Sequence, residues 1–324
     1  MEDDATKTYM VPCLRTIDPE AIKRLMAEDQ FFWLDLTGPR PEDIEKLGEL
    51  FHFHPLALED TTNFGQRPKL DDYQDYMFVV FYGARETADD PDLLHEVHLF
   101  VSGSYLVTVH RDPIPPLEEQ VAKIDGQPVH SEQYVLYRVF DALTDTFFPL
   151  LAGMDDDIDE LEDAVLAGPT DEQLQRLFGL KRQLVMLRKV VTPQRDLFAR
   201  GIDQLAELPG LVLDQRDYFR DVYDHLIRIS DLIDSYRDLL SGATDLYLST
   251  VSNRQNEVMK QLAIVGTIFL PLSFITGFFG MNFGWLVGHI ASFWVFGVFG
   301  IGSLAASCAA LYAWFRRTGL IGGG

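Results

Sequence analysis

The stretch 256-NEVMKQLAIVGTIFLPLSFITGFFGMN-282, from Asn256 to Asn282, decides how this chain is organised. From Gln261 to Phe315 there is no Asp, Glu, Lys or Arg, although 24% of the 324 residues are charged. Leu262 to Phe279 supplies an uncharged, mostly apolar run long enough for one membrane-spanning helix. A second apolar segment follows from Phe293 to Phe315.

The first segment is not uniformly suited to lipid. Steps of four and three back from Gly277 reach Ser273, Leu270, Gly266, Ala263, Met259 and Asn256. The same steps continue through Ser252, Ser249, Asp245, Gly242, Asp238, Ser235, Asp231, Arg228, Asp224 and Asp221. Residues so spaced share one side of a helix, so one helix of roughly 85 Å carries a small and polar stripe out of an acidic region into the membrane. Two readings follow. Gly266, Ser273 and Gly277 form a small-residue packing face, or the stripe faces water enclosed by several copies. The ending favours the second. A helix stopping at Gly280 presents its last carbonyls, the negative end of the macrodipole. Glycine there suits a left-handed stop, and Asn282 adds an amide oxygen. A ring of such acceptors attracts a cation. Mg²⁺ gives up its waters reluctantly, so neutral oxygens can hold it through them.

Phe279-Gly280-Met281-Asn282, at the end of a membrane helix and followed by a short loop and a last membrane helix, resembles the signature of the CorA-type divalent-cation channels and transporters, a family that includes a ZntB-like zinc branch. Tyr218 to His225, Asp238 to Gly242, Val251 to Lys260, and Gln66-Arg67-Pro68-Lys69 after Glu59-Asp60 resemble the same family. The resemblance implies a homopentamer with a cytoplasmic funnel and a pore lined by the first membrane helix. It implies Mg²⁺ influx, with Zn²⁺, Co²⁺ or Ni²⁺ as the competing cargo, and no organic cofactor. Gly280, Met281 and Asn282 then form the selectivity mouth. Asn256, Met259, Gly266, Leu270, Ser273 and Gly277 line the path, with Met259 and Leu270 as hydrophobic constrictions. Asp221, Asp224 and Asp245 on the stalk become regulatory Mg²⁺ ligands. Their partners are sought in the acidic segment holding Glu86, Asp89 and Asp90. One departure is the loop Phe283 to Ile290, which lacks the carboxylate many members carry; His289 is its titratable group.

Composition narrows the alternatives. A net charge of −23 argues against a nucleic-acid partner, which needs a basic face, and suits the attraction of cations. Cys13 and Cys308 set up no disulfide framework. No phosphate-cradling or nucleophile motif stands in its required context, so the chain reads as a non-enzyme. The acidic start MEDDATKTYM is no signal peptide. Arg254 and Lys260 precede the first span and Arg316 and Arg317 follow the second. The positive-inside rule then puts both termini in the cytoplasm of a two-span protein of the inner or plasma membrane.

Seven regions result: a cytoplasmic α/β domain (1–130), a helical hairpin (131–210), the stalk helix (211–260), the first transmembrane helix (261–282), an outer loop (283–292), the second transmembrane helix (293–315) and a cytoplasmic tail (316–324). Helices are predicted at 18–28, 41–51 and 113–123, and strands at 31–36, 77–82, 95–101 and 105–110. A helix capped by Ser131 runs to Ala167, and another runs from Asp171 to Arg200, with Pro193 as a kink. Phe219, Val222, Leu226, Ile229, Ile233, Tyr236, Leu240, Ala243 and Tyr247 form an apolar seam at heptad spacing on the stalk. His52/His54 and His95/His98 read as partly buried structural histidines rather than zinc ligands. Gly302, Ala306 and Ala310 give the second span a small-residue face. The rival to transport is a membrane-anchored acidic scaffold. It explains two spans, but not the polar stripe or Asn282.

Overall fold

The computed structural model describes residues 9–85, 93–129, 131–206, 216–289 and 292–318. The chain divides into two compact units between Asp245 and Leu246.

In the first unit the elements run β1 (Tyr9–Met10), β2 (Cys13–Leu14), α1 (Pro19–Ala27), β3 (Phe32–Thr37), α2 (Pro41–Phe51), α3 (Pro55–Thr62), β4 (Lys69–Asp72), β5 (Met77–Ala84), β6 (Leu94–Val101), β7 (Tyr105–His110), α4 (Pro115–Ile124), β8 (Pro128–Val129), α5 (Glu132–Asp145), α6 (Phe147–Ala167) and α7 (Asp171–Ala206), and then enter α8 (Arg216–Phe279). Six strands form one sheet in the order β2-β3-β7-β6-β5-β4, while β1 pairs separately with β8. β2, β3 and β7 are parallel, and β7, β6, β5 and β4 alternate. Every residue of β5 and β7 is buried. Their unbroken Val, Phe and Tyr runs mark strands covered on both faces. Phe32, Trp33, Phe78, Phe81 and Phe100 are fully buried at the centre. β4 is an edge strand of sequence KLDD; its charges suit an edge and hide it from a hydrophobic-pattern reading.

The ends of β3, β5 and β7 and the start of β6 meet at one edge of the sheet. Thr37 pairs with His110, His110 with Val97, and Gly83 with His95. Gly38 turns the chain there at φ +57°, donating its N–H to the His110 carbonyl at 2.8 Å. A side chain at Gly38 would meet the Arg111 carbonyl at 3.3 Å.

Two expectations need correcting. The helix predicted from Ser131 to Ala167 is two helices, α5 and α6, broken at Thr146. Pro149 has no N–H and crowds the carbonyl of Asp145, which ends the first helix. Thr146 holds the corner, its hydroxyl donating to the Leu143 carbonyl and accepting from the Ala84 N–H. His52 and His54 are exposed rather than partly buried. His52 ends α2 in the left-handed conformation, and His54 caps α3 by accepting from the Leu56 N–H at 3.2 Å. Of the other pair, His98 is buried against Glu96 at 2.7 Å and His95 is half-buried.

The stalk seam is borne out residue by residue. Phe219, Val222, Leu226, Ile229, Ile233, Tyr236, Leu240, Ala243 and Tyr247 are all buried, none more than 8% exposed. Tyr218 stacks on Tyr137 of α5 at 4.7 Å, Arg195 of α7 donates to Ser230, and Arg188 of α7 pairs with Asp234 at 3.1 Å. The α6–α7 hairpin also pairs its own charges, Arg176 with Asp157 and Glu160.

The second unit holds the end of α8, then α9 (Gly284–His289), α10 (Phe293–Val295), a π-helical turn at Phe296–Ile301 and α11 (Gly302–Arg317). Two helices, Asp217–Phe279 and Phe293–Arg317, are long and apolar enough to cross a membrane, and their apolar stretches are almost wholly unburied within one chain. The π turn breaks the regular helix predicted for the second span. The Ser303 hydroxyl donates to the carbonyls of Phe299 and Gly300 at 2.5 and 3.0 Å, satisfying oxygens that the wider turn loosens.

Candidate metal-ion sites

α8 carries both candidate sites. Asn256, Met259, Gly266, Leu270, Ser273 and Gly277 are all exposed in the single chain; Leu270 is 74% exposed and Met259 63%. A Cβ at Gly266 or Gly277 would meet nothing within 4 Å. No neighbour among the described residues therefore accounts for these small residues by close packing. Between them Thr267 and Thr276 turn their hydroxyls back onto the carbonyls of Ala263 and Leu272, at 2.7 and 2.9 Å.

The helix end differs from expectation in one respect. Gly280 is not among the positive-φ glycines, so no left-handed stop closes α8. Its N–H donates to the Thr276 carbonyl at 2.9 Å, and the Met281 N–H reaches the Phe278 carbonyl at 3.3 Å. A Cβ at Gly280 would lie 3.1 Å from the Thr276 oxygen. Glycine is favoured there by close approach to the helix end rather than by φ. Met281 and Asn282 follow, exposed and outside any helix. His289 Nδ1 donates to the Trp285 carbonyl at 2.9 Å, and the ring stacks on the Trp285 ring at 4.5 Å.

At the other end of α8, Asp221 accepts from the Tyr137 hydroxyl at 3.2 Å and lies 3.9 Å from His225 Nε2. His225 Nδ1 is 3.3 Å from Asp145 Oδ1, but off the axis a hydrogen bond needs, which leaves that nitrogen without a hydrogen-bond partner. Asp141, Asp145 and His225 each offer a ligand atom, all within 4.8 Å of one another. Burial, then the charge of Asp145, holds the Asp141 carboxyl above its usual range; Arg138 at 3.1 Å offsets part of this. Burial and the nearby Asp141 and Asp221 likewise push the Tyr137 phenol up. The cluster has the donor chemistry of a divalent-cation site and an excess of negative charge that a cation would relieve.

Asp221 was expected in such a site; Asp141, Asp145 and His225 were not. Their sequence signal was available, since Asp141/Asp145 and Asp221/His225 are both i,i+4 pairs on helices. Asp224 and Asp245 are exposed and form no hydrogen bond or ion pair among the described residues. Asp89 and Asp90, with Glu86, lie outside the described residues.

The profile of the CorA-like Mg²⁺ transporter protein family matches residues 28–317. The chain is 37% identical, over 281 residues, to the cobalt/magnesium transport protein CorA of Thermotoga maritima, covering 84% of this chain and 79% of that protein. It is 33% identical to the putative metal ion transporter YfjQ of Bacillus subtilis, covering 89% of each. It is 24% identical to the zinc transport protein ZntB of Yersinia enterocolitica, covering 86% of this chain and 84% of that one. Its fold matches the complete structure of the CorA magnesium transporter from Methanocaldococcus jannaschii with a TM-score of 0.77, at 24% identity and covering 89% and 91% of the two chains.

Proposed function

Because the chain belongs to the CorA-like Mg²⁺ transporter family, and so to the divalent-cation transporters, we propose that it is a homopentameric channel for Mg²⁺ influx, closed by Mg²⁺ on its cytoplasmic side. The observation that carries this reading is the α8 stripe. Asn256, Met259, Gly266, Leu270, Ser273 and Gly277 are exposed on a helix apolar enough to cross a membrane. Small and polar groups left open at membrane depth need a wet or protein-lined surface, and copies of the same helix around an axis provide one. Gly280, Met281 and Asn282 are the mouth, where amide and carbonyl oxygens hydrogen-bond to the waters of a hydrated ion rather than to the ion itself. Met259 and Leu270 narrow the path by dewetting. Both termini lie in the cytoplasm, in keeping with Arg254, Lys260, Arg316 and Arg317 flanking the spans.

Closure is assigned to the cytoplasmic end of the stalk. Asp221 and the Asp141–Asp145–His225 cluster hold Mg²⁺, which joins α5 to α8. Asp224 and Asp245 contribute negative potential from the exposed face. Asp89 and Asp90 of a neighbouring copy are the proposed partners of Asp221.

Zinc transport is the second reading, favoured by the ZntB relative and by the imidazole in the cytoplasmic cluster, which suits Zn²⁺ better than Mg²⁺. Flux into liposomes decides between them, with Mg²⁺ and Zn²⁺ offered separately, with and without a pH gradient. Mg²⁺ flux without a gradient is expected. Zn²⁺ flux that needs the gradient, with no Mg²⁺ flux, would establish the second reading, and flux of neither ion would overturn both.

A further inference from the structure

Three cavities, of about 250, 250 and 470 Å³, follow one another along the sheet edge where β3, β5 and β7 end. The first and second share Phe64 and Arg111, and the second and third share Gly38 and Pro39, so the three form one trough. In open α/β sheets this is the edge at which ligands bind.

Among the described residues the charge of the trough is inverted relative to the chain. The whole protein has 27 Lys and Arg against 50 Asp and Glu. Among the described residues the trough is lined by Arg15, Arg40, Lys46, Arg85 and Arg111, against Asp43, Glu96 and Asp112. Glu96 is already engaged, accepting from the N–H groups of Gly65 and Gln66 and bonding His98. Asp43 is shared by Arg40 and Lys46, and also caps α2 by accepting from the Arg40 N–H. Asp112 is paired with Arg85, so among the described residues Arg15 and Arg111 are the cations left for a ligand, and the helix end itself is not what is on offer. Arg15 is exposed and forms no ion pair among the described residues, and Arg111 lies 4.6 Å over the Phe64 ring with no carboxylate partner there. Arg15 follows β2, Arg40 follows β3, Arg111 follows β7 and Arg85 follows β5. In the sheet order these columns span four interstrand steps, roughly 19 Å.

We infer that this trough binds an elongated oligophosphate anion, through guanidinium groups that meet phosphate oxygens in a bidentate fashion. A single phosphate reaches one column at a time, whereas a triphosphate chain reaches several. That chain comes either as inorganic tripolyphosphate or as part of a nucleoside triphosphate. The site is separate from the ion path and does not depend on how the ion is carried.

The test is equilibrium dialysis of the full-length, detergent-solubilised protein in metal-free buffer, with tripolyphosphate, ATP and inorganic phosphate as probes. Tripolyphosphate and ATP are expected to bind saturably, at least tenfold tighter than inorganic phosphate, and more weakly as salt rises. Equal affinities for the first two would assign the triphosphate chain alone, and tighter ATP would add the nucleoside. Arg15→Gln and Arg111→Gln should each weaken binding several-fold, while Arg188→Gln, on α7, should not. Arg15 is exposed, so its replacement leaves the fold intact if the Arg111 variant does not fold. Absence of saturable binding by either triphosphate, equal binding of inorganic phosphate, or indifference to Arg15→Gln in folded protein would overturn the inference. No ion flux enters the readout, so failure here is distinct from failure of the transport reading.

Discussion

Replacing Asp145 with asparagine removes one carboxylate from the Asp141–Asp145–His225 cluster, which joins α5 to the N-terminal part of α8. The ligand atoms of Asp141, Asp145 and His225 lie within 4.8 Å of one another. Two unit charges at that separation repel by about 3.5 kcal/mol at an effective dielectric of 20, and by about 0.9 kcal/mol in water. The Asp145 side chain is 53% exposed, so solvent brings the value toward the lower end, about 1 kcal/mol. Moving a two-state equilibrium from 99:1 to 1:99 takes about 5.5 kcal/mol of differential binding, or about 1.1 kcal/mol per site when five copies share it. The charge relief at one cluster therefore matches what one subunit must supply. Asp145→Asn should leave the channel conducting at cytoplasmic Mg²⁺ concentrations that close the wild type. The assay is Mg²⁺ flux in proteoliposomes, with Mg²⁺ titrated on the cytoplasmic face. Melting provides a second readout, because a ligand that binds only the folded state raises its stability. Mg²⁺ should raise the melting temperature of the wild type more than that of the variant, and the metal-free variant should be no less stable than wild type, having lost a repulsion. Coincident closure curves and an equal Mg²⁺-induced stabilisation would show that Asp145 is not part of the sensor.

At the mouth, Asn282→Ala should abolish or severely reduce flux without affecting assembly, because each hydrogen bond to a charged hydrated ion contributes about 1.5–3 kcal/mol; wild-type flux from a correctly inserted variant would remove Asn282 from the mouth. Leu226 is fully buried in the stalk seam, and Leu226→Ala should cost about 2–5 kcal/mol, read by denaturant unfolding; a loss below about 1 kcal/mol would mean that the seam is loosely packed. His110 lies 3.1 Å from Asp35 and 2.7 Å from the Asp112 carbonyl. Burial pulls the His110 pKa down, but Asp35, the Asp112 carbonyl and Glu118 outweigh it and hold the imidazole above its ordinary value of 6.5. A raised folded pKa gives stability that is complete below the unfolded value and lost as pH rises through the folded one. Melting temperature should therefore fall on going alkaline from pH 6.5, and His110→Gln should flatten that slope; an unchanged slope would mean that the ring is not held protonated.

The fold was legible wherever the hydrophobic pattern was strong. β5 and β7 announce themselves as continuous Val, Phe and Tyr runs, and the heptad seam from Phe219 to Tyr247 identified the buried face of α8 before any packing was known. The edge strand KLDD and the two-residue strands β1, β2 and β8 carry no such pattern and were missed, because their pairing is set by neighbours distant in sequence. The break at Thr146 was written in Pro149, but hydrophobic residues on both sides disguised it. At the candidate sites, a stripe on one helix can be read by counting, so the positions from Asn256 to Gly277 could be placed on one side of α8, where each is exposed in the single chain. The Asp141–Asp145–His225 cluster joins two helices about eighty residues apart, and helical spacing within either one does not reveal the other. Gly280 was identified for the wrong physical reason, a left-handed turn in place of a close approach to the Thr276 carbonyl.

On the proposed reading, the exposed stripe of α8 faces the ion's path. Cysteines placed singly at Gly266, Ser273 and Gly277, with Cys308 and Cys13 replaced by alanine, test it by exposure to a small cationic thiol reagent during Mg²⁺ flux. Cysteine at Phe274, which is 72% exposed on another side of the same helix, is the control. Modification at positions 273 and 277 should block flux and be slowed by high Mg²⁺, while modification at position 274 should do neither. Undiminished flux after complete labelling at all three stripe positions, or block at Phe274 alone, would contradict it.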